Sequence, residues 1–235
     1  MVIDFHSHIL PGIDDGSRNL ETTCKMLETA AKQGIDVMVA TPHFYADRMR
    51  IDPFLNNREE AYQKVMECSE RVEQLPIICG SEVAYFHGIG GAEEIDKLCI
   101  GDTRLMLLEM PFRPWSGKEL DEVGRLLDRN IVPVIAHLER FFSFQKDKKM
   151  IPELMEMPVY IQINAEAFLD WRTRRKMAKL FQNGDAHLLG SDAHSLNRRP
   201  VNLAEGRRVL EKKAGREVLA EIDQLGEKLL GLSHR

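Results

Sequence analysis

Six places in the chain offer side chains that bind divalent cations, and each stands at the end of a short apolar run. They are His6-Ser7-His8, Thr41-Pro42-His43, Gly80-Ser81-Glu82, Glu109, His137-Leu138-Glu139-Arg140 and Ser191-Asp192-Ala193-His194. Imidazole and carboxylate groups are the nitrogen and oxygen donors that zinc, manganese and iron accept. Side chains alternate along a strand, so His6 and His8 can point the same way and chelate one ion. The same spacing pairs Asp192 with His194. Taken singly, a His or Glu after a strand is ordinarily a solvated or capping loop residue. Recurrence at the same position favours one polynuclear site, because crowding such groups together without a cation is costly.

The elements that must position these groups can be read from the apolar pattern. The runs are Met1–Phe5, Asp36–Ala40, Ile77–Cys79, Arg104–Leu108, Val132–Ala136, Val159–Ile163 and Ala186–Leu189. They are near-continuous in apolar residues, as expected for strands buried on both faces. Between them lie helical patterns over Asn19–Gln33, Asn57–Gln74, Lys118–Arg129 and Thr173–Gln182, then Asn202–Leu230 with a break near Gly215. Regular alternation predicts an α/β protein with a parallel sheet. Seven strands favour an open or distorted barrel, with a doubly wound sheet as the alternative. In a barrel, functional groups collect at the C-terminal strand ends, where the six places fall. No linker, repeat or low-complexity tract divides the chain, so one domain over 1–235 is expected.

Composition narrows the function classes. Hydrophobic residues make up 43% and charged residues 29%, enough for a core and a polar surface. A formal net charge of −5 argues against a nucleic-acid partner, which calls for a basic face. Neither G-x-G-x-x-G after the first strand nor a P-loop is present. Cys24, Cys68, Cys79 and Cys99 match no zinc module and are expected to be free thiols in a reducing cytosol. The residues six places after each cysteine are Ala30, Gln74, Tyr85 and Leu105, so no C-x5-R nucleophile loop exists. No leader or apolar run of membrane-spanning length is seen, and a cytoplasmic location without membrane insertion is expected. His87, His187 and His234 are read as surface or packing residues.

The strings DFHSHILPGIDDGS, VATPHF, GSEV, LLEMPF, PVIAHLER and GSDAHSLNRRP resemble the motifs of the polymerase-and-histidinol-phosphatase (PHP) superfamily. The match is closest to the bacterial manganese-dependent protein-tyrosine phosphatases of capsular and exopolysaccharide operons, and it runs from Asp4 to Pro200. The resemblance implies a distorted (β/α)7 TIM-like barrel holding three divalent ions, manganese foremost, with iron, zinc or magnesium as alternatives. It implies His6, His8, His43, Glu82, Glu109, His137, Asp192 and His194 as ligands, with Glu82 bridging. Arg140 and Arg199 would hold the substrate phosphate, Arg199 being chosen over Arg198 for its place before Pro200. Asp14 would lie close to the metals, and it or a protonated neighbour is expected to help protonate the leaving phenolate. The reaction expected is direct attack of a metal-bridging hydroxide on phosphorus, and the expected partner is the phosphotyrosine tail of a bacterial tyrosine kinase. Histidinol phosphate or another small phosphoester is the alternative substrate. A nuclease of the same superfamily and a silent metal-binding module remain further readings.

Overall fold

The computed structural model describes residues 1–66 and 75–232. Among these are nine strands: β1 (Ile3–Ser7), β2 (Val37–Ala40), β3 (His43–Phe44), β4 (Ile77–Cys79), β5 (Glu82–Ala84), β6 (Leu105–Glu109), β7 (Val132–Ile135), β8 (Tyr160–Asn164) and β9 (Leu188–Gly190). The helices are α1 (Leu20–Lys32), α2 (Ile51–Met66), α3 (Gly117–Asp128), α4 (Met150–Glu156), α5 (Glu166–Leu169), α6 (Arg174–Asn183), α7 (Leu203–Ala214) and α8 (Arg216–Leu229). Tight 3₁₀ turns cover Ile89–Gly91, Ile95–Leu98 and Leu138–Ser143.

Every strand pair is parallel, in the orders β1-β2-β4 and β3-β5-β6-β7-β8-β9. The result is a curled parallel sheet with helices packed on it. Its last strand returns to its first: Ser7 bridges Ala193, and the His8 amide donates to the Ala193 carbonyl at 2.9 Å. The second and third expected runs match β2 and β4, and each is followed by a further short strand, β3 and β5, that the apolar pattern did not include. Pro42, which lacks an N–H, stands between β2, paired with β4, and β3, paired with β5. Gly80-Ser81 breaks the chain between β4 and β5, and a Cβ on Gly80 would stand 2.8 Å from Ile100.

Alternation along the strands sorts the interior into two cores. Val37, Val39, Leu105, Leu107, Val134 and Leu188 join Ile3 and Phe5 in one cluster. Met38, Met106, Leu108, Ile135 and Leu189 face the helices in a larger one. Leu225 and Leu229 of α8 pack on the first cluster, and Gly226 lets the helix approach so closely that a Cβ would lie 2.8 Å from the Phe5 ring. This closes the end of the curl opposite the polar groups.

The expected helices largely match, including the break at Gly215, whose φ of 102° suits glycine. A Ser116–Glu119 capping box starts α3. Helix α2 begins at Ile51, earlier than expected, and the stretch 67–74 lies outside the described residues, as do Cys68 and His234. Cys79 and Cys99 are free thiols, whereas Cys24 is disulfide-bonded, which corrects the expectation for it. His87 is exposed, and the half-buried His187 ring accepts the Ile161 amide. No helix among the described residues is long and apolar enough to cross a membrane.

Candidate metal centre

Strand β1 delivers the first donors through an irregularity. Its pairing with β2 slips between Asp4 and Ser7, so β1 holds one residue more than β2 over that interval. Such a bulge re-aims the side chains after it. The His6 Cβ then lies against Gly190, where an added Cβ would sit 2.5 Å away. His6 Nε2 and His8 Nε2 come within 3.1 Å of each other.

The other strand ends converge on this pair. The Glu82 Oε2 atom is 3.3 Å from His6 Nε2, 3.2 Å from His8 Nε2 and 2.9 Å from His43 Nδ1. Its Oε1 atom is 2.8 Å from His137 Nε2, and Glu109 Oε1 is 3.4 Å from that same nitrogen. Asp192 Oδ1 lies 3.6 Å from His6 Nε2 and 3.5 Å from His8 Nε2. His194 turns Nδ1 to the Asp192 carbonyl at 2.9 Å, which leaves Nε2 for the cluster. Four overlapping donor groups result: His8, Asp15, His43 and His194; His6, Glu82 and His137; His6, His8 and Asp192; His43, Glu82 and Glu109. All eight ligand candidates from the sequence are present, and Asp15 joins them, 3.5 Å from both His43 Nε2 and His194 Nε2.

Two backbone features support the arrangement. His137 has φ 33° and Asp192 has φ 54°, a region that non-glycine residues enter at a cost and that recurs at functional sites. Gly16 lets its loop fold back on β1, since a Cβ there would stand 2.3 Å from the His8 carbonyl.

Behind the donors lies a polar layer in which Asp14, Arg140 and Arg199 are expected from the motifs, whereas Gln162, Asn164 and Asp4 are not. Asp14 Oδ2 contacts His8 Nδ1 at 2.7 Å and accepts the His43 amide, while Oδ1 accepts the Gly16 amide. Gln162 Oε1 sits 3.2 Å from His6 Nδ1 and accepts the His137 amide. Gln162 in turn donates to Asn164, and Asn164 donates to Asp192 Oδ2 at 2.8 Å. Asp4 accepts the Ser191 amide at 2.7 Å, and burial pushes its carboxyl up to about 6. Arg140 and Arg199 each place Nη2 2.5 Å from Asp192 Oδ2. Arg198 makes no such contact. The one signal for Gln162 and Asn164 was a polar i, i+2 pair inside an apolar run.

The electrostatics fit a cation site. Glu82 Oε2, Asp192 Oδ1 and His194 Nε2 are buried without a hydrogen-bond partner, a state that native interiors rarely tolerate. Burial favours neutral His8, but Asp14 and Glu82 outweigh it and raise its pKa to about 10. His137 is likewise buried, and Glu109 with Glu82 raise it to about 9. Burial works against the Glu82 and Asp192 carboxylates, yet the surrounding imidazoles hold both well below the usual range, helped at Asp192 by Arg140. Burial and the charge of His8 push His194 down to about 4. In the metal-free protein, protons on His8 and His137 therefore do the neutralising that divalent ions would do.

A pH dependence follows. Cation binding at pH 7 must displace those protons, so affinity should rise with pH, by up to about tenfold per unit for each proton displaced. Calorimetry in buffers of different ionisation enthalpy should show about two protons released; zero release would contradict the assignment. The folded pKa values of these two histidines lie above the ordinary 6.5. Their contribution to metal-free stability is thus complete below pH 6.5 and lost as pH rises through about 9 and 10. His194 acts oppositely, opposing folding as pH falls from 6.5 towards 4.

The open side of the cluster carries aromatic rings. Tyr45 lies over His43 with centroids 5.2 Å apart, and Phe112 lies over His137 at 6.0 Å and an interplanar angle of 23°. Phe112 is 45% exposed, although Phe141 and Phe144 back it.

Comparison with known proteins adds to this geometry. The model of the capsular polysaccharide synthesis CpsB/CapC family matches residues 2–227. The chain is 29% identical over 226 residues to the tyrosine-protein phosphatase CpsB of Streptococcus agalactiae serotype III, covering 92% of each. Among solved structures it resembles that described for YwqE from Bacillus subtilis and CpsB from Streptococcus pneumoniae, metal-dependent tyrosine phosphatases, with TM-score 0.84, 24% identity and coverage of 98% of this chain and 94% of that one. A histidinol phosphate phosphatase from Lactococcus lactis, complexed with zinc, L-histidinol and phosphate, shares the fold at TM-score 0.56 and 17% identity, covering 91% of this chain and 94% of that one.

Proposed function

Because this chain belongs to the capsular polysaccharide synthesis CpsB/CapC family, we propose that it is a metal-dependent tyrosine-protein phosphatase. The observation that carries the reading is the convergence of imidazoles and carboxylates on Glu82 beside two arginines that share Asp192. We read the ligands as His6, His8, His43, Glu82, Glu109, His137, Asp192 and His194, with Asp15 added. They would hold three divalent ions, manganese foremost, in a seven-unit distorted barrel formed by the single domain 1–235. Ions bound there supply neutralisation of phosphoryl charge and activation of water.

The chain's own groups do the rest. Arg140 and Arg199 are each about one-third exposed, so their remaining N–H groups can grip a phosphate with charge-assisted hydrogen bonds. Asn164 and the two arginines fix Asp192, and Gln162 fixes His6. Asp14 orients His8 rather than moving a proton: both its oxygens are engaged, and although burial opposes ionisation, His8 holds its pKa at about 2. The proton-donor role expected of it is therefore not part of this reading. A phenolate leaves without strong acid assistance, which suits a site of this kind.

Phe112 and Tyr45 flank the entrance and offer a phenyl ring two aromatic surfaces, each of the kind that contributes about 0.5–1.5 kcal/mol to a ring pair. This favours phosphotyrosine over histidinol phosphate. Phe112→Ala should raise KM for a phosphotyrosine peptide about five- to tenfold and leave an alkyl phosphate such as glycerol phosphate unaffected. Equal losses on both substrates would remove the ring from recognition. The partner is read as the phosphotyrosine segment of a bacterial tyrosine kinase, in the cytoplasm. The direct test compares kcat/KM of the manganese-loaded protein on a phosphotyrosine peptide and on L-histidinol phosphate. Preference for the second would overturn the assignment.

A further inference from the structure

A cavity of about 630 Å³ opens beside the cluster, on the side of Asp15 and His194. Arg18, Thr22, Arg198 and Arg199 also line it. Only Arg199 is committed, through Asp192. The guanidinium groups of Arg18 and Arg198 make no ion pair or hydrogen bond among the described residues, and both side chains are exposed. The one carboxylate in the wall, Asp15, lies 3.5 Å from two ligand histidines and so faces the cluster. In a chain of net charge −5, this corner is locally cationic.

The two arginines stand on shaped loops. Arg18 follows a turn in which Gly12 N donates to Ser17 O and Ser17 N to His8 O. Arg198 belongs to a loop closed by His194 and Ser195 amides on the Arg199 carbonyl, with Ser195 Oγ accepting the Arg198 amide. Each loop also carries candidate ligands of the cluster, so the backbone at each arginine is tied to it. Thr22, in the first turn of α1, brings the positive end of that helix to the same wall.

We propose that this cavity is an anion subsite, where Arg18 and Arg198 hold a second acidic group of the substrate beside the phosphotyrosine being hydrolysed. The ligand chemistry is a carboxylate or phosphate on a neighbouring residue of the peptide. The inference rests on the phosphatase reading and supplies the substrate class: acidic phosphotyrosine peptides in preference to neutral ones. Arginine recognises both oxyanions in the same forked geometry.

The test uses the manganese-loaded full chain with R18A, R198A and the double variant. Substrates are a phosphotyrosine peptide flanked by glutamates, its glutamine counterpart, a doubly phosphorylated counterpart and p-nitrophenyl phosphate. Wild type should favour the glutamate or doubly phosphorylated peptide about tenfold in kcat/KM over the glutamine peptide. The double variant should erase that preference through KM and turn over p-nitrophenyl phosphate at the wild-type rate. Preference for glutamate alone assigns the subsite to carboxylates, and preference for the doubly phosphorylated peptide alone assigns it to phosphate. Equal wild-type rates on acidic and neutral peptides overturn the proposal, as does a double variant that keeps the preference. If wild type hydrolyses no aryl phosphate, the phosphatase reading fails instead. Fluorescence anisotropy of the labelled peptides then still reads the cavity: weaker glutamate-peptide binding by the double variant supports the subsite, and unchanged binding overturns it.

Discussion

Glu82→Gln is expected to lower kcat on a phosphotyrosine peptide by about a thousandfold while the protein stays folded. Glu82 is 1% exposed and touches four imidazoles, three through Oε2 and one through Oε1. Both of its oxygens contact imidazoles, whereas Asp192 turns one oxygen to imidazoles and the other to Arg140, Arg199 and Asn164; this suits Glu82 to bridging ions. The amide keeps the volume but replaces one anionic oxygen with an N–H donor aimed at the other donors. Cation affinity should fall together with kcat. Circular dichroism and elemental analysis of the purified variant separate the two effects: a native spectrum with reduced metal content is expected. A variant that keeps full turnover would remove Glu82 from the centre.

The second large effect concerns stability as well as activity. Asp192→Ala should destabilise the metal-free protein by about 3 kcal/mol, because Arg140, Arg199 and Asn164 lose their shared acceptor in a buried setting. The left-handed backbone at φ 54° adds roughly 1 kcal/mol against alanine. Asp192→Asn should cost about half as much, since asparagine tolerates that conformation and keeps one oxygen. Both should be inactive. Urea unfolding of the two variants beside wild type checks the order. An alanine variant as stable as wild type would show that the arginines are held by something else.

The donors were legible because each stands in local sequence contrast. His6, His8, His43, Glu82, Glu109, His137, Asp192 and His194 all follow apolar runs, and parallel strands bring their C-terminal ends to one rim. The resemblance chose Arg199 over Arg198 by its place before Pro200, and of the two it is Arg199 whose guanidinium contacts Asp192. What local pattern could not give was pairing across the chain. Asp15 and Asp14 are adjacent and chemically identical, yet Asp14 turns to His8 Nδ1 and Asp15 turns to His43 and His194. Only the fold of the loop over Gly16 decides which is which. Gln162, Asn164 and Asp4 act through partners 25 or more residues away, such as His137, Asp192 and Ser191. The slip in β1 is a tertiary effect of the same kind. The short strands β3 and β5, which follow the expected runs after Pro42 and after Gly80-Ser81, also carried local signals. Those signals were weaker than the apolar pattern around them.

The cavity beside His194 shows the same division. Arg18 and Arg198 are ordinary surface arginines in sequence, 180 residues apart by number. Two ligand-bearing loops bring them to one wall.

In the proposed function this cluster binds divalent ions, and phosphotyrosine hydrolysis requires them. The most direct measurement is a titration of the metal-stripped protein with manganese, following bound metal and phosphotyrosine-peptide turnover in the same samples. No turnover is expected without metal, and activity should rise with occupancy towards three ions per chain. Full activity in the stripped protein, or full occupancy without turnover, would contradict it.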